Sequence, residues 1–238
     1  MTTYHVTSGQ VSNGITLSDG DFVYVSSGGT QLVATGDAVS TSVIGGGNEY
    51  AFSGGVADFT TLDIGGEQDV YIGASVISTT VGNGATEFLH SGATTTSTTV
   101  SSGGTQSVSS RGTTVSTTVD SSATEHVFNR GTASGTTVSQ GGKEILDHGG
   151  SAIGITVGDG GYQVVSSGGT ATSTTVNSGG TQYADSGNLA SDTVMNVDGS
   201  IDVSYLSYTS GGSGDRDGPE LDAEQALVAR FVARQQAA

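Results

Sequence analysis

From Gly46 onward the apolar residues return every nineteen positions, in units beginning at Gly46, Gly65, Gly84, Gly103, Ser122, Gly141, Gly160 and Gly179. Position six of the unit holds Ala51, Val70, Leu89, Val108, Val127, Leu146, Val165 and Ala184, preceded by Val33 in an earlier unit. Position seventeen holds Leu62, Val81, Val100, Val119, Val138, Val157 and Val176, and position twelve is mostly small: Ala57, Val76, Thr95, Thr114, Ala133, Ala152, Ala171 and Ala190. Three inward columns five or six residues apart describe a coil with three faces. Glycine pairs at positions one and two, and again near nine and ten (Gly54-Gly55, Gly149-Gly150, Gly168-Gly169), fall between the columns, where the chain must corner and positive φ carries little steric cost. Segments such as STTV from Ser97 to Val100 read as strands, because β-branched side chains suit a pleated, half-buried surface.

A strict period means that each unit adds one identical step to a stack. Parallel pairing of each strand with its copy, at about 4.8 Å per step, makes a rod of roughly 43 Å from nine coils. The expected fold is all-β, a right-handed parallel β-helix of about nine 19-residue coils with a short C-terminal α-helix. Crossovers between parallel strands are overwhelmingly right-handed, and the left-handed hexapeptide class needs multiples of six. The unit from Gly28 to Gly45 has eighteen residues and Val11 to Ser27 reads as a degenerate half-turn, so the expected division is 1–27 as N-terminal cap and half-coil, 28–197 as repeat array, 198–218 as terminal coil and flexible linker, and 219–238 as helix. In that linker GGSGDRDG approaches the calcium nonapeptide GGxGxD, but Arg216 stands where the Asp ligand belongs. The last segment places Pro219 at a first helical position, acids in the first turns, and Leu221, Leu227, Val228, Phe231 and Val232 on one face. A cover over the open last coil is the plain reading of this helix; a dimerisation helix, an export signal or the start of a further domain are the others.

Composition narrows the class without changing the fold. Forty Gly, one Pro and abundant Ser and Thr also suit disorder, but disordered tracts do not hold apolar residues in register. Cysteine is absent, which removes disulfides and thiolate metal sites. With 23 acidic against 6 basic residues and a net charge of -17, the chain repels nucleic acid and anionic membrane surfaces. No apolar run approaches the roughly 20 residues that span a bilayer, so membrane insertion is not expected. The start MTTYHVTSGQ has neither the basic nor the apolar region of a signal peptide.

Units such as GGTQSVSSRGTTVSTTV from Gly103 to Val119 and GGYQVVSSGGTATSTTV from Gly160 to Val176 resemble the AIDA-type repeats in passenger domains of self-associating autotransporter adhesins. The resemblance covers about residues 10–197. It implies a right-handed β-helix, secreted or held at the bacterial surface, with roles in adhesion, cell aggregation and biofilm. It also implies partners: a second copy of the chain or host and bacterial surface glycans, and a heptosyltransferase that glycosylates Ser and Thr hydroxyls in some members. The chain departs from the family in showing neither an export signal nor a membrane barrel.

Three columns carry the candidate chemistry. Position four is an acid or amide in every unit: Gln31, Glu49, Gln68, Glu87, Gln106, Glu125, Glu144, Gln163 and Gln182. Facing inward with position six, amides would donate to carboxylates one coil away, against the alternative of a cation-binding column. Glu125 and Glu144 are neighbours without an amide between them and are the expected place for a raised pKa or a bound ion. Positions five and seven should then face outward, giving an interaction stripe of Tyr50, Phe52, Tyr71, Phe88, His90, His126 and Phe128. The competing reading flips the strand and puts the rings inside, since one residue of slip inverts every face. The third column, Thr80, Thr99, Thr118, Thr137, Thr156 and Thr175 at position sixteen, reads as a ladder of stacked hydroxyls, as glycan acceptors if the resemblance holds, or as a water-ordering array of the ice-binding kind. Position fourteen breaks the last pattern with Phe59, Gly135 and Gly154 among its serines.

Catalysis is not expected. Polysaccharide-active β-helices cluster carboxylates with cations, whereas the array has Lys143, Arg111 and Arg130 alone, the arginines one period apart in turns. His5, His90, His126 and His148 occupy different columns, so no metal triad is visible, and no cofactor is called for. An adhesive or self-associating surface module is the expected function, with a glycan-binding β-helix or a plain structural spacer as alternatives.

Overall fold

The computed structural model describes residues 3–13, 22–26, 28–34, 36–101, 103–185, 189–196 and 200–204 of the 238. They form a parallel β-solenoid with three faces. A typical coil contributes Thr86–Leu89 to the first face, Thr94–Thr96 to the second and Thr99–Val100 to the third. Eleven strands line the first face, nine the second and eleven the third. All pair in parallel, and from Asn48 onward each strand residue lies over the one nineteen positions away, as Gln68 over Glu87, Val76 over Thr95 and Val81 over Val100. At the N-terminal side Thr3–Val6 and Phe22–Ser26 continue the third face and Val11–Asn13 the first. Ser200–Ser204 pairs with Thr181–Asp185 at the other end. The helix expected over 219–238 and the linker motif at Arg216 lie outside the described residues.

Two corners explain why the strands are so short. Position fourteen takes positive φ in every complete coil, from 54° at Phe59 and 61° at Ser78 to 70° at Gly154. A left-handed residue ends the pleat after position thirteen, so the third-face strand begins afresh at sixteen. The mixture of Ser, Gly and Phe there is therefore a corner. Position nine is also left-handed: it is Gly54, Gly73, Gly92, Gly149 and Gly168 in five coils, but Arg111 at φ 67° and Arg130 at φ 68° in two. An L side chain in that region costs roughly 1–2 kcal/mol. Arg111→Gly and Arg130→Gly should each stabilise the rod by about 0.5–1 kcal/mol after the greater freedom of glycine in the unfolded chain is deducted. Urea titration measures the gain.

The core is not uniformly oily. Positions six and twelve pack as one buried apolar strip, including Val70, Leu89, Val108 and Ala133, while Val43, Leu62, Val81, Val100 and Val119 at position seventeen form a second. Between them runs a file of fully buried polar side chains, position four on one side and Thr60, Thr79, Thr98, Thr117 and Thr136 at position fifteen on the other. In the next coil position fifteen is Ile155, and from there Val138, Val157 and Val176 join the first strip. One threonine replaced by isoleucine thus merges two apolar strips that a hydrophilic seam otherwise separates.

Candidate interaction surface and the buried carboxylate file

Alternation along each first-face strand sends positions four and six into the core and three, five and seven outward; Thr86–Leu89 alternates half-buried, buried, half-buried, buried. The rings of the predicted stripe accordingly lie on the outer face. Phe52, Tyr71 and His90 stack coil on coil at position seven, with centroids 5.0 and 4.7 Å apart and planes within 13–15° of parallel. Those separations match the spacing of adjacent strands, about 4.8 Å. Tyr50 and Phe88 flank the column, 6.3 Å from Phe52 and 6.2 Å from His90. Ring faces are therefore turned on one another along the rod, and ring edges turn to solvent. His126 and Phe128 form a separate pair at 4.6 Å, parted from the first group by the Ser107 and Ser109 coil.

Carboxylates that the sequence pattern does not single out are woven into the stripe. Asp69 stands at position five between Tyr50 and Phe88, is buried, and lies 2.5 Å from Nε2 of His90. Burial first, and then the charges of Asp69 and Glu67, raise the Tyr50 hydroxyl above its usual pKa; Tyr71 is raised in the same way. Glu67 itself is raised by burial and by Asp69. Farther along, Asp147 lies 3.1 Å from both His126 Nε2 and His148 Nδ1. Burial alone would raise Asp147, but its contacts with the two histidines win and hold it below the usual carboxylate range. Ile72 follows Tyr71 into the corner and is 65% exposed, which adds apolar surface at the edge of the ring column.

On the third face the predicted hydroxyl column is in register, Thr80 to Thr99 to Thr118 to Thr137 to Thr156 to Thr175, and all six side chains are exposed or half-exposed. Each STTV motif holds two adjacent threonines with opposite roles, position fifteen buried and position sixteen outside.

The position-four file is a buried ladder. Gln106 Nε2 donates to Glu87 Oε2 at 2.5 Å, Gln163 Nε2 to Glu144 Oε2 at 2.6 Å and Gln182 Nε2 to Gln163 Oε1 at 2.6 Å. Every one of these amides points toward the N-terminal side. Threonines at position fifteen donate across the core to the position-four residue of their own coil, as Thr98 to Glu87 at 3.2 Å, Thr136 to Glu125 at 2.9 Å and Thr174 to Gln163 at 3.2 Å. Burial dominates the ionisation. It raises Glu49 and Glu87 to about 7, with the facing amides and threonines offsetting only part of its effect. Glu144 is likewise raised to about 7 by burial, opposed by Gln163. Glu125 is raised well above the usual carboxylate range by burial and then by the charge of Glu144.

The chain's likeness to known proteins agrees with this architecture. Residues 45–104, about three coils, match the family described as adhesin of bacterial autotransporter system, probable stalk. Among solved structures, that of a TibC-catalysed hyper-glycosylated TibA fragment is similar over 86% of this chain and 92% of that one, at 28% identity and a TM-score of 0.65. No curated protein sequence matches the chain. Three of the coils thus match the adhesin stalk repeat of bacterial autotransporters, on a β-solenoid similar to that of the TibA fragment.

Proposed function

We propose that this solenoid is a self-associating surface module, and that copies meet through the ring column of the first face. The adhesin stalk likeness supports a secreted or cell-surface location. The observation that carries the finer reading is the cluster of Tyr50, Phe52, Tyr71, Phe88 and His90, half-buried on the outer face with the exposed Ile72 beside it. The net charge of -17 repels a second copy elsewhere on the surface, which confines close contact to a patch of this kind. Because Phe52, Tyr71 and His90 use their faces on one another, their edges are what a partner meets, and edge-to-face packing against rings of a second copy is the geometry aromatic pairs favour. His126 and Phe128 offer a smaller second contact in the same columns.

The outward hydroxyls from Thr80 to Thr175 support a companion reading, in which a heptosyltransferase modifies this column. The hyper-glycosylated state of the TibA fragment, catalysed by TibC, motivates it. Intact mass after co-expression with such an enzyme tests it: added hexose-like or heptose masses that disappear when the six threonines are changed to Val support the column, and full modification of that variant removes it.

The self-association reading is tested by displaying the chain on non-clumping bacteria and changing Tyr50, Phe52, Phe88 and Phe128 to Ser. Aggregation should slow at least about tenfold, since ring pairs contribute roughly 0.5–1.5 kcal/mol each beyond their buried area. Unchanged clumping by a variant that still melts cooperatively would end the proposal. Clumping abolished by free sugars would point to glycan recognition in its place.

A further inference from the structure

We propose that Glu125 and Glu144 form a proton-binding site in the core, a carboxyl pair that shares a proton and so ties assembly of this part of the rod to proton uptake. The argument rests on donors and acceptors. Both side chains are fully buried, and they stack one coil apart in register. Thr136 donates to Glu125 Oε2 and Gln163 to Glu144 Oε2. The remaining oxygens, Oε1 of each, are buried with no hydrogen-bond partner among the described residues.

Among the described residues the neighbouring donors are committed elsewhere: Thr117 also adjoins Glu125 and opposes the rise in its pKa, but gives its hydrogen to Gln106. Gln106, on the N-terminal side of Glu125, directs its amide away to Glu87, and its Oε1 accepts from Thr117 at 3.1 Å. In the Glu144 coil the residue that should donate from position fifteen is Ile155. The second-face residues opposite are Thr114, whose hydroxyl bonds Thr117 and Gln106, and the methyl groups of Ala133 and Ala152. Glu87, two coils from Glu125, is the nearest other titratable group inside; His126 and Lys143 belong to the outer side of the same strands, and Asp147 follows the end of the second. Glu87 also has an unpartnered oxygen, but its ladder neighbours are the uncharged Gln68 and Gln106, so no like charge adjoins it. Two ionised carboxylates stacked in an apolar surround cannot both keep their charge. An O–H bridging the two Oε1 atoms satisfies both acceptors with one hydrogen. It removes one buried charge and turns the pair's repulsion into a charge-assisted hydrogen bond.

The test is the pH dependence of folding in the full chain, by urea titration of the wild type, Glu144→Gln and Glu125→Gln. Glu49 and Glu87, raised to about 7, lose their protons around that pH, whereas the pair keeps one beyond it. The wild-type folding constant should therefore continue to fall about tenfold per pH unit there. An amide introduced at 144 can donate to Glu125 Oε1 while accepting from Gln163, which repeats the arrangement of Gln182 on Gln163. Glu144→Gln should remove the pair's share of the slope above pH 7, leaving only the tail of Glu49 and Glu87, and raise the folding constant at pH 8 at least about tenfold, with little change at pH 5. A slope that persists undiminished, or a loss of stability equal at both pH values, overturns the proposal. Infrared spectra give a second readout that requires only the wild type and one variant: the carbonyl band of a protonated carboxylic acid should remain at pH 8 and vanish in Glu125→Gln. A melting point that falls on dialysis against a chelator would replace the proton with a bound cation and overturn the assignment.

Discussion

Raising the pH from 5 to 8 is expected to lower the unfolding free energy of the rod by at least about 3 kcal/mol, the reverse of the behaviour of proteins whose carboxylates are salt-bridged. For a single group such as Glu87, the shift from 4.5 to about 7 is 2.5 pH units, or roughly 3 kcal/mol at 1.36 kcal/mol per unit. Its folded pKa is raised, so the folded state holds the proton more tightly than the unfolded chain. That contribution is fully present below 4.5 and is lost as pH rises toward 7. Glu49 and Glu144 act in the same window. Asp147 works in the opposite sense: its folded pKa is lowered, so its contribution is present above 3.8 and is lost as pH falls below that. Stability should therefore peak in mild acid. Thermal midpoints measured across pH 4–9 check the direction, and Glu87→Gln, flanked by Gln68 and Gln106, should take about 3 kcal/mol out of the dependence without unfolding the chain at pH 5. A flat profile, or one that rises with pH, would show that the glutamates remain ionised when buried.

The ladder is legible in the amino-acid pattern because position four keeps one residue class at a strict period, and because the alternation from position six puts it inside. The inward threonine at position fifteen is equally present in every STTV, yet the hydroxyl column that the pattern brings forward is position sixteen. The same alternation, counted back from the valine at seventeen, assigns fifteen to the core. Position fourteen cannot be understood from pattern alone, since Phe59, Ser78 and Gly135 share no side-chain property and only the left-handed backbone unites them. Asp69 and Asp147 are hidden for another reason. The burial of Asp69 and the pairing of the two acids with His90 and His126 come from rings and imidazoles contributed by adjoining coils, and nothing in the local sequence marks an outward acid as covered.

Two deletions of equal length should have opposite consequences, because the apolar strips repeat more faithfully than the polar file does. Removing 103–121 or 122–140 excises one complete coil of nineteen residues and rejoins the chain at the same point of the unit. The apolar loss is nearly the same in both: Val108 and Val119 in the first, Val127 and Val138 in the second, all fully buried. What differs is the order of position four. Deleting 103–121 takes out Gln106 and stacks Glu87 directly against Glu125 and Glu144, three carboxyls in succession with no amide between them. Deleting 122–140 takes out Glu125 and places Glu144 beside Gln106, which leaves no adjacent pair of glutamates. Since a solenoid's stability is close to a sum over coils and their nearest-neighbour contacts, both shortened rods should fold. At pH 8 the rod lacking 122–140 should be the more stable by at least about 3 kcal/mol, seen as a melting point roughly 6–12 °C higher for a chain of this size. At pH 5 the gap should close, because protonated carboxyls donate hydrogen bonds along the file as amides do. Equal melting points at pH 8, or a gap of the same size at both pH values, would mean that the order of Glu and Gln along the axis carries no energetic information.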